Sequence, residues 1–171
     1  MKVLLINGSP RQEGNTATAL KEVAKQLNSE GIDSEIVWIG NKPIRGCIAC
    51  GQCKAQGLGR CIFDDDSCNK ISEKFKEAHA LIVGSPVYYG QPNGALLSII
   101  QRAFYSNGAN ISGKPAASIA VCRRGGATAV FESLNMPFQM MNMVWLLKST
   151  KGEKALGRPD DEAWEAMHFI R

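Results

Sequence analysis

Lys2–Thr16 reads KVLLINGSPRQEGNT. Val3, Leu4, Leu5 and Ile6 form an unbroken apolar run, the pattern of a parallel strand covered on both faces. Within three residues the chain turns polar, at Asn7, Gly8 and Ser9. Helical spacing starts after Asn15 and Thr16, both good N-cap residues. The stretch is a strand, a polar turn and a helix start. A helix N-terminus presents free N–H groups and partial positive charge, which suits a phosphate. Ser9 and Thr16 add hydroxyls, Asn15 an amide and Arg11 a charge, while Gly8 and Gly14 allow close backbone approach. The turn lacks the Gly-Lys-Ser/Thr ending of a P-loop and the G-x-G-x-x-G of a dinucleotide site. On local chemistry alone, an ordinary capped strand-to-helix loop reads equally well.

The same alternation continues along the chain. A helix is expected over Ala17–Ser29, closed by Gly31. Strands are expected at Glu35–Ile39, Ala80–Gly84, Ala116–Val121 and Met143–Leu147. Further helices fall at Ile71–Ala78, Ala95–Phe104, Ala127–Leu134 and Asp161–Ile170, the last capped by Asp160 or Asp161. Alternating strands and helices imply a doubly wound parallel α/β sheet with right-handed crossovers. Such sheets bind ligands beyond the carboxyl ends of their strands. Three polar or Gly/Pro-rich loops follow strand ends and converge there: Ser9–Thr16, Ser85–Pro92 and Cys122–Gly126.

The second loop offers Tyr88 and Tyr89 on a proline-stiffened backbone, suited to a flat aromatic ligand. The third offers the N–H groups of Gly125 and Gly126 beside Arg123 and Arg124. A phosphate at one end and a planar ring beside cations at the other describe a flavin mononucleotide pocket. Donors and cations there would stabilise an anionic reduced ring.

The 171-residue chain is sized for one domain, residues 1–171. Its net charge of +4 is only mildly basic and gives no nucleic-acid signature. No apolar run approaches the roughly 20 residues of a membrane span. Met1-Lys2 leads directly into a strand, so no export signal and a cytoplasmic setting are expected. Five of six cysteines lie between Cys47 and Cys68. Cys47, Cys50, Cys53 and Cys61 are compact enough for a [4Fe–4S] cluster or a structural zinc. A reduced, glycine-rich loop packing over the flavin or at a subunit interface is the alternative. Cys68 and Cys122 read as packing residues, His79 and His168 as isolated, and Asp64–Asp66 as a helix start.

GSPRQEGNT, SPVYYGQPNGAL and the CRRGG loop resemble the NADPH-dependent FMN reductase branch of the flavodoxin-like superfamily. GCIACGQCKAQGLGRCIFDDD, an insert at about residues 46–66, is similar to a stretch in iron–sulfur flavoproteins and their cluster-free relatives. The resemblance covers about the first 126 residues. It implies a five-stranded flavodoxin-like sheet of order 2-1-3-4-5 with helices on both faces. It implies FMN held at its phosphate by Ser9, Arg11, Asn15 and Thr16. Pro86, Val87, Tyr88, Tyr89 and Gly90 would surround the isoalloxazine, with Gly125 and Gly126 near the ring. Arg124 is expected near the ring or an incoming nicotinamide. No side chain need act as acid or base, because the flavin carries the chemistry. The implied activity is NAD(P)H oxidation through FMN to a small-molecule acceptor such as a quinone, flavin or azo compound. The alternative is a relay from a ferredoxin-like donor through a [4Fe–4S] cluster. Relatives of this kind are homodimers or homotetramers with FMN near an interface. After the fifth strand, Lys148–Gly152 departs from the family pattern, so no flavin contact is assigned there.

Overall fold

Residues Val3–Asn7 are buried throughout, and β1 (Lys2–Asn7) occupies the middle of a parallel sheet. The computed structural model describes residues 1–107, 110–144, 148–149 and 168–169. In chain order, β1 is followed by α1 (Asn15–Ser29), β2 (Asp33–Trp38), α2 (Gln52–Ala55), α3 (Cys68–Glu77) and β3 (Ala80–Pro86). Next come α4 (Gly94–Asn107), β4 (Ala116–Val121) and α5 (Ala127–Met140). Two short strands, β5 (Lys148–Ser149) and β6 (His168–Phe169), pair antiparallel.

The main sheet runs β2-β1-β3-β4, all parallel. Leu5 pairs with Ile36 on one side and Ile82 on the other. Strand alternation splits the core between the two faces. Leu4 and Ile6 pack with Ile71 and Phe75 of α3, Ile99 of α4 and Leu134 of α5. Val3 and Leu5 pack with Ala19, Leu20 and Ala24 of α1. Helices therefore cover both faces. The loops after β1, β3 and β4 leave from one edge of the sheet, because Asn7 is level with Gly84 and Pro86 with Val121.

The main sheet has four described strands where five were expected. Val144 bridges Pro115 in parallel register at the β4 edge, and residues 145–147 of the expected fifth strand lie outside the described residues. The closing helix expected over Asp161–Ile170 does not hold at its end, because His168–Phe169 is a strand. The rest of that helix lies outside the described residues.

Three local expectations are also revised. The N-cap of α1 is Gly14, and Asn15 and Thr16 already lie inside the helix. The Cys-rich segment contains α2, a single turn too short to show helical periodicity. Helix α5 continues past Leu134 and through Pro137 to Met140. Proline removes one helical hydrogen bond. Buried Asn135, joined to Ser118 at 2.9 Å, and buried Phe138, against Phe104, anchor that last turn to the core.

Candidate functional site

The loop after β1 is fixed by side chains that turn its carbonyls inward. Buried Asn7 accepts from the Ser9 N–H at 3.1 Å and donates to the Gln12 carbonyl at 3.1 Å. The Trp38 indole donates to the Ser9 carbonyl at 2.8 Å. Asn93 donates to the Gly8 carbonyl at 2.7 Å. With three carbonyls engaged elsewhere, the loop offers the first N–H groups of α1, which have no partner inside the helix. Ser9 and Thr16 are buried at this end, while Arg11 and Asn15 are exposed. Gly8 must be glycine for packing: a Cβ there would stand 2.6 Å from the Gly84 carbonyl oxygen.

Asn93 also joins the first loop to the second. Its side-chain oxygen caps α4 through the Ala95 N–H at 3.1 Å, and its own N–H donates to the Ser85 hydroxyl at 3.0 Å. In the second loop Tyr88 and Gln91 exchange backbone bonds of 2.9 and 3.0 Å around Tyr89 and Gly90. Both central residues have positive φ, 51° and 75°, as a type I′ turn requires. Tyr89 is therefore held left-handed, with its side chain fully exposed.

The third loop closes on the second. Gly126 has φ 91°, and a Cβ on it would lie 3.0 Å from both the Gly90 Cα and Val87 Cγ1. Between these loops is an open cleft of about 350 Å³ lined by Val87, Tyr89, Gly90, Cys122, Arg123, Arg124 and Gly125. Both arginines are exposed, so the cleft is electropositive. The fold brings Val87, Tyr89, Gly90, Arg124 and Gly125 together, with Gly126 packed behind. Pro86 and Tyr88 lie off this wall, as do Ser9, Arg11, Asn15 and Thr16. Cys122, expected to pack, is half-buried on the cleft wall. A loop that frees N–H groups beside a glycine-walled cationic cleft fits a phosphorylated planar ring.

The cysteines form a second centre. Cys47, Cys50, Cys53 and Cys61 all line one small pocket with Arg102 and Tyr105. Cys47 and Cys50 are exposed, Cys53 is buried and Cys61 is half-buried. Among the described residues, no three His, Cys, Asp or Glu side chains converge as a formed metal site. The donor set still suits iron–sulfur chemistry, because four thiols share one wall. Left-handed residues Ala49, Gly51, Gly57 and Gly59 curve the chain around it. Cys68 is fully buried, and burial pushes its thiol pKa up to about 12, as its packing role requires.

Arg102 escaped the sequence reading. It lies three residues from Ile99 on the apolar stripe of α4 and is 1% exposed. It pairs there with Asp66. Burial pushes the Asp66 carboxyl up, but bonds from the Cys68 N–H, Arg102 and the Arg45 N–H outweigh it and hold the group below its ordinary value. Asp66 also accepts at 2.9 Å from the N–H of Cys68, the first residue of α3; of the run Asp64–Asp66 expected at the helix start, this residue engages the helix. The signal for Arg102 was a lone cation on an apolar stripe; for Asn7 and Asn93 it was an amide followed by a glycine, at a strand end and at a helix start.

The family model described as NADPH-dependent FMN reductase matches residues 1–152. An iron–sulfur flavoprotein of Methanocaldococcus jannaschii is 34% identical over 147 residues, 84% of this chain and 75% of that protein. Another, from Methanosarcina thermophila, is 30% identical over 139 residues, 79% of this chain and 71% of that protein. Among solved structures, the NAD(P)H:acceptor oxidoreductase FerB of Paracoccus denitrificans superposes with a TM-score of 0.59 at 20% identity, covering 84% of this chain and 73% of that one. A flavodoxin from an archaeon gives 0.58 at 15% identity, covering 84% and 76%; both likenesses establish the flavodoxin-like fold. No described helix is long and apolar enough to cross a membrane. The family match spans β1 through α5 and all three strand-end loops, and the chain belongs to the NADPH-dependent FMN reductase family.

Proposed function

We propose that this chain is an FMN-dependent oxidoreductase that takes electrons from NAD(P)H and delivers them to a small-molecule acceptor such as a quinone, free flavin or azo compound. The observation that carries the reading is the Asn93 bridge between the β1 loop and Ser85 at the end of β3, from which the chain runs into the cationic cleft at Val87, Tyr89 and Gly90. Ser9, Arg11, Asn15 and Thr16 hold the phosphate, aided by the first N–H groups of α1. Val87, Tyr89 and Gly90 border the ring on one side, on the loop that Pro86 and Tyr88 shape. Gly125 and Gly126 approach its edge, and Arg124 supplies positive potential there and to the incoming nicotinamide. When bound, FMN supplies the two-electron chemistry, and no side chain of the cleft is assigned as acid or base. Tyr89 offers its exposed ring to whatever stacks on the open side. Donor and acceptor share one opening, which favours a ping-pong order. The reading includes a single domain over 1–171, a homodimer or homotetramer, and a cytoplasmic setting suited to clustered thiols. The Val144 bridge to Pro115 supports a further parallel strand beside β4, separate from the β5–β6 pair, as the fifth strand of the flavodoxin-like order.

Anaerobic mixing with NADPH tests this reading. Loss of the flavin's visible absorbance, restored by a quinone, is the expected result. Flavin that stays oxidised under excess NADPH and excess NADH would contradict it. For Arg124→Ala, a raised half-saturating NADPH concentration is expected, and unchanged kinetics with unchanged flavin potential would remove Arg124 from the site.

A second reading is favoured by the four cysteines on one pocket wall and by relatives named iron–sulfur flavoproteins. In it Cys47, Cys50, Cys53 and Cys61 hold a [4Fe–4S] cluster that links a ferredoxin-like donor to the flavin. Cys47 and Cys50, exposed on a glycine-punctuated loop, would move toward the more fixed Cys53 and Cys61. Iron and sulfide assayed on protein purified without oxygen decide it. About four of each per chain support the cluster, and their absence returns the cysteines to a structural role.

A further inference from the structure

The guanidinium of Arg102 is directed entirely into the Cys-rich segment. Its Nε–H donates to Cys61 Sγ at 3.3 Å. One terminal nitrogen donates to the Arg45 carbonyl at 3.2 Å and pairs with Asp66, and the other donates to the Phe63 carbonyl at 2.9 Å. Buried Asn69 brackets the same cysteine. Its side-chain oxygen accepts from the Cys61 N–H and its amide donates to the Cys61 carbonyl, both at 3.0 Å. Backbone and sulfur of Cys61 are thus both fixed. Among the described residues, Cys61 is the one pocket cysteine whose sulfur accepts from a side chain.

A buried arginine is costly unless every donor is used. Asp66 neutralises this one, so the pair brings no net charge to the pocket. What remains directed at the sulfur is a fixed N–H dipole. Hydrogen bonds to ligand sulfurs favour the more negative, reduced state of an iron–sulfur centre, and burial strengthens the effect.

We propose that Arg102 tunes the four-cysteine site through Cys61: its Nε–H, directed at the Cys61 sulfur, makes a bound [4Fe–4S] cluster easier to reduce. The inference rests on the cluster reading above. One electron enters from an external reductant, no proton moves and no covalent bond changes.

Two variants separate the N–H bond from the charge. In Arg102→Lys the ammonium falls where the guanidinium carbon stood. The cation beside Asp66 is kept, and a methylene replaces the donor facing Cys61. In the double variant R102Q/D66N an amide N–H takes the place of Nε, and the pair is neutral on both sides. The full-length chain is reconstituted with iron and sulfide without oxygen, and the cluster potential is read by EPR-monitored redox titration. The expected result is that R102K loads iron as the parent does but has a reduction equilibrium about tenfold less favourable, roughly 59 mV lower for one electron. R102Q/D66N is expected to stay within about threefold of the parent. An unchanged potential in R102K would overturn the inference, as would an equal fall in both variants. Failure of R102K to fold or to load would also overturn it, since Arg102 would then build the site and not tune it. If the parent itself takes up no iron, the cluster reading falls and the inference with it, an outcome visible before any variant is compared.

Discussion

Two glycines six residues apart in the first loop should respond very differently to alanine. At Gly8 a Cβ would lie 2.5 Å from Leu96 Cδ2 and 2.6 Å from the Gly84 carbonyl oxygen. Leucine can shift, but the carbonyl belongs to β3 and accepts from the Gly8 N–H at 2.8 Å, so the clash and the hydrogen bond are not relieved by the same movement. Overpacking typically costs about 1–3 kcal/mol, and backbone contact places Gly8→Ala at the upper end, about 3 kcal/mol. For a domain of this length that lowers the melting temperature by about 6–12 °C. Gly14 has φ −131°, and its nearest contact would be Arg11 Cβ at 3.4 Å. There alanine loses only some N-cap preference, about 1 kcal/mol at most, or about 2–4 °C. Thermal unfolding followed by far-UV circular dichroism on the apo protein measures both, and FMN titration on the same samples should show the larger loss for Gly8→Ala. Equal melting temperatures for the two variants would refute the argument that strand-end packing, and not loop composition, demands glycine at position 8.

Other perturbations have defined outcomes. Trp38→Phe deletes the indole bond to the Ser9 carbonyl and should cost about 1 kcal/mol, weakening FMN binding about fivefold; unchanged affinity by fluorescence quenching would show that the loop holds its shape without Trp38. Tyr89→Gly removes a left-handed non-glycine residue, so its relief of roughly 1–2 kcal/mol should outweigh the added chain entropy. The apo protein should melt about 1–2 °C higher while the half-saturating NADPH concentration rises, and a lower melting temperature would mean that the turn is not strained. Asp66 titrates lower in the folded chain than in the unfolded one. Its stabilising contribution is therefore full above about pH 4 and is lost as the pH falls through the lower folded value. In urea titrations at stepped pH, the stability gap between the parent and Asp66→Asn should narrow below about pH 4, and a gap that stays constant there would contradict the assignment.

The strand periodicities and loop positions were legible because a buried parallel strand has a distinctive apolar run and leaves a sharp polar break, as at Ile6-Asn7-Gly8. Of the loop residues named as donors to a ligand, Ser9 also braces the loop itself. Ser9 accepts from the Arg11 N–H, and the loop's shape depends on Trp38 and Asn93, 29 and 85 residues from the carbonyls they bind. Contacts over such distances leave no local pattern. The N-cap of α1 was misplaced because Asn15 and Thr16 have the stronger capping preference, whereas the helix begins two residues before the expected Ala17, at Asn15. Arg102 was missed for a related reason. A cation on an apolar stripe contradicts the helical pattern, and its partners Asp66 and Cys61 lie in a segment with no periodicity to read. His168–Phe169 was assigned to a closing helix started by an Asp160 or Asp161 cap, and pairing with Lys148–Ser149 prevails there.

The central claim is that the loops after β1, β3 and β4 together hold FMN. An absorption spectrum of protein purified without oxygen, with the released flavin quantified and identified by chromatography, tests it most directly. The account predicts flavin bands and FMN approaching one per chain, either as purified or after adding FMN and removing the excess. A colourless protein that retains no FMN after that treatment, while its circular dichroism reports an intact fold, would contradict it.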